Sequence, residues 1–171
     1  REFNRLYGKV FPEPEALVPT DVGILPGIDG QAKMSKSLGN CIFLSDNTDQ
    51  VRQKVMKMYT DPKRIHGTEP GDTKNNPVFI YLRAFGKAKH QDQIDNLTQR
   101  YEKGKVGDVE VKEFLFEVLE DFLIPIRQRR AEFGKEKSLV EKILKGGTEK
   151  ARVLASETLE LAKRAAGLSY F

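Results

Sequence analysis

The stretch Val111-Lys112-Glu113-Phe114-Leu115-Phe116-Glu117-Val118-Leu119-Glu120-Asp121-Phe122-Leu123-Ile124-Pro125-Ile126 carries the strongest periodicity in the chain. Its apolar positions 111, 114, 115, 118, 119, 122, 123 and 126 recur at steps of three and four, which wraps them onto one face of an α-helix. Pro125 lies inside the run, and its missing N–H and its ring predict a kink there. Outward from this segment, the helical pattern holds from Asp46 to the end. Asp46 or Thr48 can N-cap a helix bearing Val51, Val55 and Met58, which Asp61-Pro62 closes. Asn76-Pro77 supplies an N-cap and first-turn pair for Val78 to Phe85. Ile94, Leu97 and Tyr101 mark a helix ending before Gly104, and Tyr81 and Tyr101 fall on spacings that favour core over base stacking. A last helix is expected from Thr148 to Ala166, with Leu154, Leu161 and Ala165 inward and Gly167 as its stop.

Toward the N-terminus the pattern changes. Phe3, Leu6 and Tyr7 repeat at helical spacing and Gly8 suits a left-handed C-cap, so the chain reads as opening partway through a helix. Ala16-Leu17-Val18 and Val22 to Leu25 read as short strands feeding a loop, and Ile42-Phe43-Leu44 as a buried strand or extended segment. Between them, residues 26–40 are almost all loop formers. No internal repeat or low-complexity segment interrupts the chain.

The 171 residues suffice for one ordinary domain or two small ones, and 39% hydrophobic with 32% charged residues is a globular composition. No stretch approaches the roughly 18 apolar residues of a membrane span. With no secretory signal at Arg1, the expected compartment is the cytoplasm. One cysteine, Cys41, and two histidines, His66 and His90, do not make a zinc site, and none of the three is expected to do chemistry. The chain holds 29 basic and 25 acidic residues, a net charge of +4. Residues 1–47 are net −1 and residues 48–171 net +5, so the excess that would favour a polyanion lies in the helical part.

Specific chemistry is concentrated in the loop. Gly27, Gly30 and Gly39 allow backbone amides close to a ligand, Lys33 and Lys36 supply mobile cations, and Ser35 and Ser37 supply hydroxyl donors. This is a phosphate-handling composition, but neither G-x-x-x-x-G-K-[ST] nor G-x-G-x-x-G occurs. Lys33-Met34-Ser35-Lys36-Ser37 matches the KMSKS signature of class I aminoacyl-tRNA synthetases at all five positions. Leu25-Pro26-Gly27-Ile28-Asp29-Gly30, Leu38-Gly39-Asn40, Tyr59-Thr60-Asp61-Pro62-Lys63-Arg64, Pro77-Val78-Phe79 with Ala84-Phe85, Pro125-Ile126-Arg127-Gln128-Arg129-Arg130 and Gly167-Leu168-Ser169-Tyr170-Phe171 extend the likeness along the whole chain. The sequence thus resembles the bacterial tryptophanyl-tRNA synthetases. The tyrosyl enzymes, which usually carry a KFGKS-like loop, are the nearest alternative, and a free-standing tRNA-binding module without catalysis is another.

The resemblance implies a mainly α fold: a helical anticodon-binding domain plus the C-terminal remnant of a Rossmann-like α/β catalytic domain with the KMSKS loop. The implied division is 1–46 catalytic, 47–130 anticodon-binding, and 131–171 C-terminal helices packing back on the catalytic domain. It implies activation of L-tryptophan with ATP and Mg²⁺, transfer to tRNA(Trp), and a homodimer. Lys33 and Lys36 are the expected catalytic residues, and Gly27, Asp29, Lys33, Met34, Ser35, Lys36 and Ser37 the expected ATP-binding set, with the Met34 backbone against adenine. The HIGH-like T-x-G-N motif and the G-x-D-Q segment such enzymes need do not occur, so the chain is expected to be the C-terminal half, inactive alone. Asp61 and Arg64 read either as anticodon contacts or as turn and cap residues. Arg127 and Arg130, with Arg129, Lys135 and Lys137, read either as a solvated charge run or as contacts to tRNA.

Overall fold

The structure, a computed structural model, describes residues 1–18, 23–61, 64 and 66–168. The expectations placed on Val22, Pro62, Lys63 and Ser169 to Phe171 lie outside them. The chain is mainly α: α1 (Glu2–Tyr7), α2 (Thr48–Met56), α3 (Pro77–Phe85), a 3₁₀ turn (Ala88–His90), α4 (Gln91–Glu102), α5 (Asp108–Lys135) and α6 (Lys137–Ala165). Two compact units result, one of residues 1–17 with 130–171, the other of residues 18–129. Among the described residues no helix is long and apolar enough to cross a membrane.

The core of the 18–129 unit is the apolar stripe of α5 closed by three shorter helices. Val111, Leu115, Val118, Leu119 and Leu123 are buried with Val51 and Val55 of α2, Phe79, Tyr81 and Leu82 of α3, and Ile94, Leu97 and Tyr101 of α4. The helix ends follow local chemistry. Asn76 accepts from the Val78 N–H at 2.9 Å with Pro77 in the first turn, as its sequence predicts. In α2 the cap is Asn47, not Asp46 or Thr48. Its side chain accepts from the Gln50 N–H while the Gln50 side chain accepts from the Asn47 N–H, both at 2.9 Å. The two expected caps are engaged elsewhere. The Thr48 hydroxyl donates to Glu120 Oε2 at 2.9 Å, and Asp46 accepts from the Phe43 N–H at 2.8 Å and pairs with Lys54.

Other expectations are corrected. α2 stops at Met56, well before Asp61, because buried Lys112 of α5 donates to the carbonyls of Met56 at 3.0 Å and Met58 at 2.7 Å, satisfying the orphan acceptors of that end. No strand forms among the described residues. Ala16, Leu17 and Val18 are exposed, as are Phe43 and Leu44, so these runs bury too little surface to hold a ladder. Pro125 lies inside α5, within the periodic run as expected.

In the other unit, α6 begins at Lys137, running through Gly146 and Gly147, where an added Cβ would meet only open space. Two glycines cost about 2 kcal/mol of helix propensity, which a 29-residue helix absorbs. Its inward residue is Ala162; Leu154, Leu161 and Ala165 are exposed. Gly167 ends the helix at a φ of +70° as expected, whereas Gly8 after α1 combines φ 92° with ψ 174°, outside the left-handed helical well. In the same unit Asn4 ties the chain after α1 into a turn, accepting from the Phe11 N–H at 3.0 Å and donating to the Phe11 carbonyl at 2.7 Å.

Tyr101 gives the 18–129 unit a measurable alkaline limit. Burial, then its hydrogen bond to Asp108 at 2.7 Å, pushes its phenol up to about 12. The folded state therefore favours the neutral phenol. The resulting stability is full below about pH 10, where unfolded tyrosine is neutral, and is lost as pH rises toward the folded value. Denaturation midpoints should fall over that window, with a shallower fall in Tyr101→Phe; identical slopes would contradict this assignment.

Candidate functional site

Residues 26–40 form a closed loop seated on the core of the 18–129 unit. Its ends meet at a lone antiparallel bridge between Pro26 and Lys33, with the Gly27 N–H donating to the Ala32 carbonyl at 2.7 Å and the Met34 N–H to the Leu25 carbonyl at 3.1 Å. The loop is anchored from beneath. The buried Tyr81 hydroxyl donates to the Pro26 carbonyl at 2.7 Å, and the Tyr59 N–H to the Ile28 carbonyl at 2.7 Å. Burial is the first cause holding the Tyr81 phenol above its ordinary value, which keeps it a donor.

Two glycines are required by this geometry. At Gly30, φ is +69° and a Cβ would lie 2.7 Å from the Tyr59 ring; at Gly27 a Cβ would run into the Asn40 carboxamide and come within 2.7 Å of Asp29 Oδ1. The amide of Asn40 donates to Asp29 Oδ2 at 2.9 Å and is the first cause holding that carboxyl below its usual range.

Above this base the five-residue motif forms an arch. Lys33 and Lys36 are exposed, and no ion pair among the described residues engages either ammonium. Ser35 and Ser37 place their hydroxyl oxygens 2.9 Å apart. Met34 packs its side chain on the core and commits its N–H to the Leu25 carbonyl. The seven residues of the expected ATP-binding set lie within this one loop, with two exposed lysines that no ion pair among the described residues engages and paired hydroxyls at its outer edge. That arrangement is complementary to a chain of phosphates.

The expected tRNA contacts divide. Asp61 is partly buried and lines a polar cleft of about 410 Å³ with Gly30, Gln31, Tyr59, Asp72, Asn75 and Asn76. Of the two readings of Arg64, an anticodon contact or a turn and cap residue, its surroundings favour a local structural role, its side chain being only 1% exposed. It donates to the carbonyls of Gly67 and Glu69 at 2.8 Å each and of Val106, pairs with Asp108 at 3.3 Å, and stacks 3.8 Å from the centre of the Tyr101 ring. Arg127 is likewise committed, to Glu120 and to the Asp46 carbonyl at 3.2 Å. Arg130 is exposed, and no ion pair among the described residues holds it.

His90 sits between a backbone N–H of Lys87, accepted at Nδ1 at 3.1 Å, and Asp121, which is 3.0 Å from Nε2. Cys41 is buried. Among the described residues no group of three or more His, Cys, Asp or Glu is arranged to hold a metal ion.

Sequence reasoning passed over Asn40, the buried hub of the loop. Its signal was an asparagine closing a glycine-bounded loop next to a buried residue, where a side-chain amide is placed to bond local backbone.

Comparison with known proteins places this site in a family. The profile of the family described as tRNA synthetases class I (W and Y) matches residues 1–124, and the chain belongs to that family. Tryptophan-tRNA ligase of Streptococcus agalactiae is 48% identical over all of this chain and 51% of its own length, and that of Clostridium longisporum is 49% identical over all of the chain and 50% of its length. The crystal structure of tryptophanyl-tRNA synthetase from Campylobacter jejuni complexed with ADP and tryptophan superposes with a TM-score of 0.70 at 30% identity, over 98% of this chain and 50% of that one. The chain spans about half the length of the curated relatives it matches.

Proposed function

We propose that this chain is the C-terminal half of a tryptophan-tRNA ligase, and that the complete protein activates L-tryptophan with ATP and transfers it to tRNA(Trp). The observation that carries this reading is the Lys33–Ser37 arch, with both lysines exposed and neither ammonium in an ion pair among the described residues, in a chain about half identical to tryptophan-tRNA ligases along its full length. In the first step the tryptophan carboxylate attacks the α-phosphorus of ATP. A carboxyl–phosphate bond forms, the bond to the β-phosphate bridging oxygen breaks, and pyrophosphate leaves. Negative charge grows on the transferring and departing phosphates, so cations that close on them in the transition state lower the barrier. Lys36 is the transition-state contact and Lys33 holds the phosphates, with Ser35 and Ser37 as further donors and Gly27, Asp29 and the Met34 backbone shaping the base of the site. In the second step a terminal ribose hydroxyl of the tRNA attacks the adenylate carbonyl and AMP departs.

Mg²⁺ would enter as the ion carried by the phosphates of ATP, where it would offset their charge. In this reading residues 1–46 complete a catalytic domain, 47–130 contact the anticodon arm, and 131–171 return to the catalytic domain in a cytoplasmic homodimer. The compact unit of residues 1–17 with 130–171 supports that return. Arg130, exposed together with Arg129, Lys135 and Lys137, is the cation offered to tRNA, with Asp61 in its cleft a second contact.

Charging of tRNA tests the reading. Supplied with ATP and total tRNA, the complete protein should attach labelled tryptophan and leave tyrosine unattached. Attachment of tyrosine would favour the tyrosyl branch of the family, and attachment of neither a tRNA-binding module.

A further inference from the structure

Asn40 is only 4% exposed, yet nothing about amino acid activation requires an asparagine at this place. Its polar atoms all serve the loop. Oδ1 accepts from the Ser35 N–H at 2.8 Å, Nδ2 donates to Asp29 Oδ2 at 2.9 Å and to the Lys33 carbonyl at 3.3 Å, and its own carbonyl accepts from the Ile28 N–H at 2.9 Å. A flipped amide would set oxygen against the Asp29 carboxylate and N–H against the Ser35 N–H, so the network fixes its orientation. The two loop contacts grip the backbone on either side of Met34, one at Lys33 and one directly before Lys36. Gly27 leaves the space the carboxamide occupies, and Tyr81 and Tyr59 tie the base of the loop to the core.

We propose that Asn40 is the positioning residue of the Lys33–Ser37 arch, its carboxamide and the Asp29 carboxylate forming a clasp that presents Lys33 and Lys36 to the phosphates of ATP. This rests on the function proposed above. The clasp bonds only residues 28–35, so releasing it lets the arch relax while α2–α5 keep their packing. A displacement of about 1 Å at the ammoniums is enough to lose on the order of a hundredfold in rate.

The test uses the complete protein, with exchange of pyrophosphate into ATP normalised to active sites titrated by a single-turnover burst. Asn40→Ala should lower the tryptophan-dependent rate per site about 10- to 100-fold with the KM for tryptophan unchanged. Asn40→Asp keeps an acceptor for the Ser35 N–H but loses both donors and sets two carboxylates face to face. It should be slower than Asn40→Ala at neutral pH and recover as pH falls, when the pair shares a proton. Exchanging the ends in Asp29→Asn/Asn40→Asp should restore roughly tenfold or more of the loss. Per-site rates within twofold of wild type in both single variants, or a double variant no faster than Asn40→Asp, would overturn the proposal. If the wild-type protein supports no exchange, it is the functional reading that has failed. The clasp is then judged by amide hydrogen exchange at Ser35 in the 171-residue chain, where Asn40→Ala should lose protection and unchanged protection would refute it.

Discussion

Replacing Lys36 by alanine in the complete protein is expected to lower tryptophan-dependent ATP–pyrophosphate exchange by about 100- to 1000-fold, the loss typical of one preorganised charge contact to a transition state. The structure separates this effect from folding. The Lys36 ammonium is exposed and no ion pair among the described residues involves it, so its removal leaves no buried partner unpaired. The denaturation midpoint should accordingly move by no more than about 0.5 kcal/mol in stability. Because the charge acts mainly as pyrophosphate departs, the drop should fall on kcat with the KM for tryptophan unchanged. Lys33→Ala should raise the KM for ATP as well. A fall of less than about tenfold in Lys36→Ala would remove this lysine from the transition state.

The second large effect is one of stability. Arg64→Ala is expected to destabilise the 18–129 unit by about 3–5 kcal/mol, the range for removing one member of a buried ion pair. Its guanidinium satisfies three backbone carbonyls, those of Gly67, Glu69 and Val106, and pairs with Asp108, which also accepts from Tyr101. Alanine would leave these acceptors without their donor and open a gap against the Tyr101 ring. Lysine should rescue little, since one ammonium cannot reproduce the planar fork. Urea unfolding reads the outcome as a lower midpoint at constant slope. A loss below about 1 kcal/mol would mean that Arg64 behaves as a surface charge and would return it to the tRNA contacts.

The helices were legible where local chemistry and tertiary demand coincide. In α3 and α4, Asn76-Pro77 and the Ile94, Leu97, Tyr101 spacing leave one solution, and α5 announces itself by its stripe. At the start of α2 three residues in a row are all good N-caps. Which one serves is decided by α5: Glu120 takes the Thr48 hydroxyl and Lys54 holds Asp46, leaving Asn47. No local pattern carries that information. The same holds for Arg64, whose partners at 67, 69, 106 and 108 come together only in the fold. Short apolar runs at 16–18 and 42–44 read as strands because periodicity cannot tell a buried run from an exposed one. The last helix, expected from Thr148, begins at Lys137 and includes Gly146-Gly147, because a long helix spreads the cost of two glycines. In the site, the lysines and serines were legible as chemistry, while Asn40 was not, since its role is a pattern of hydrogen bonds to residues 5 to 12 positions away.

The most direct test of the central claim, that the Lys33–Ser37 arch handles the triphosphate of ATP during activation of tryptophan, is amino acid-dependent ATP–pyrophosphate exchange by the complete wild-type protein. Exchange should appear with tryptophan, stay at background with tyrosine or with no amino acid, and disappear when Lys33 and Lys36 are both replaced by alanine. Tryptophan-dependent exchange that persists at the wild-type rate in the double replacement would contradict the account.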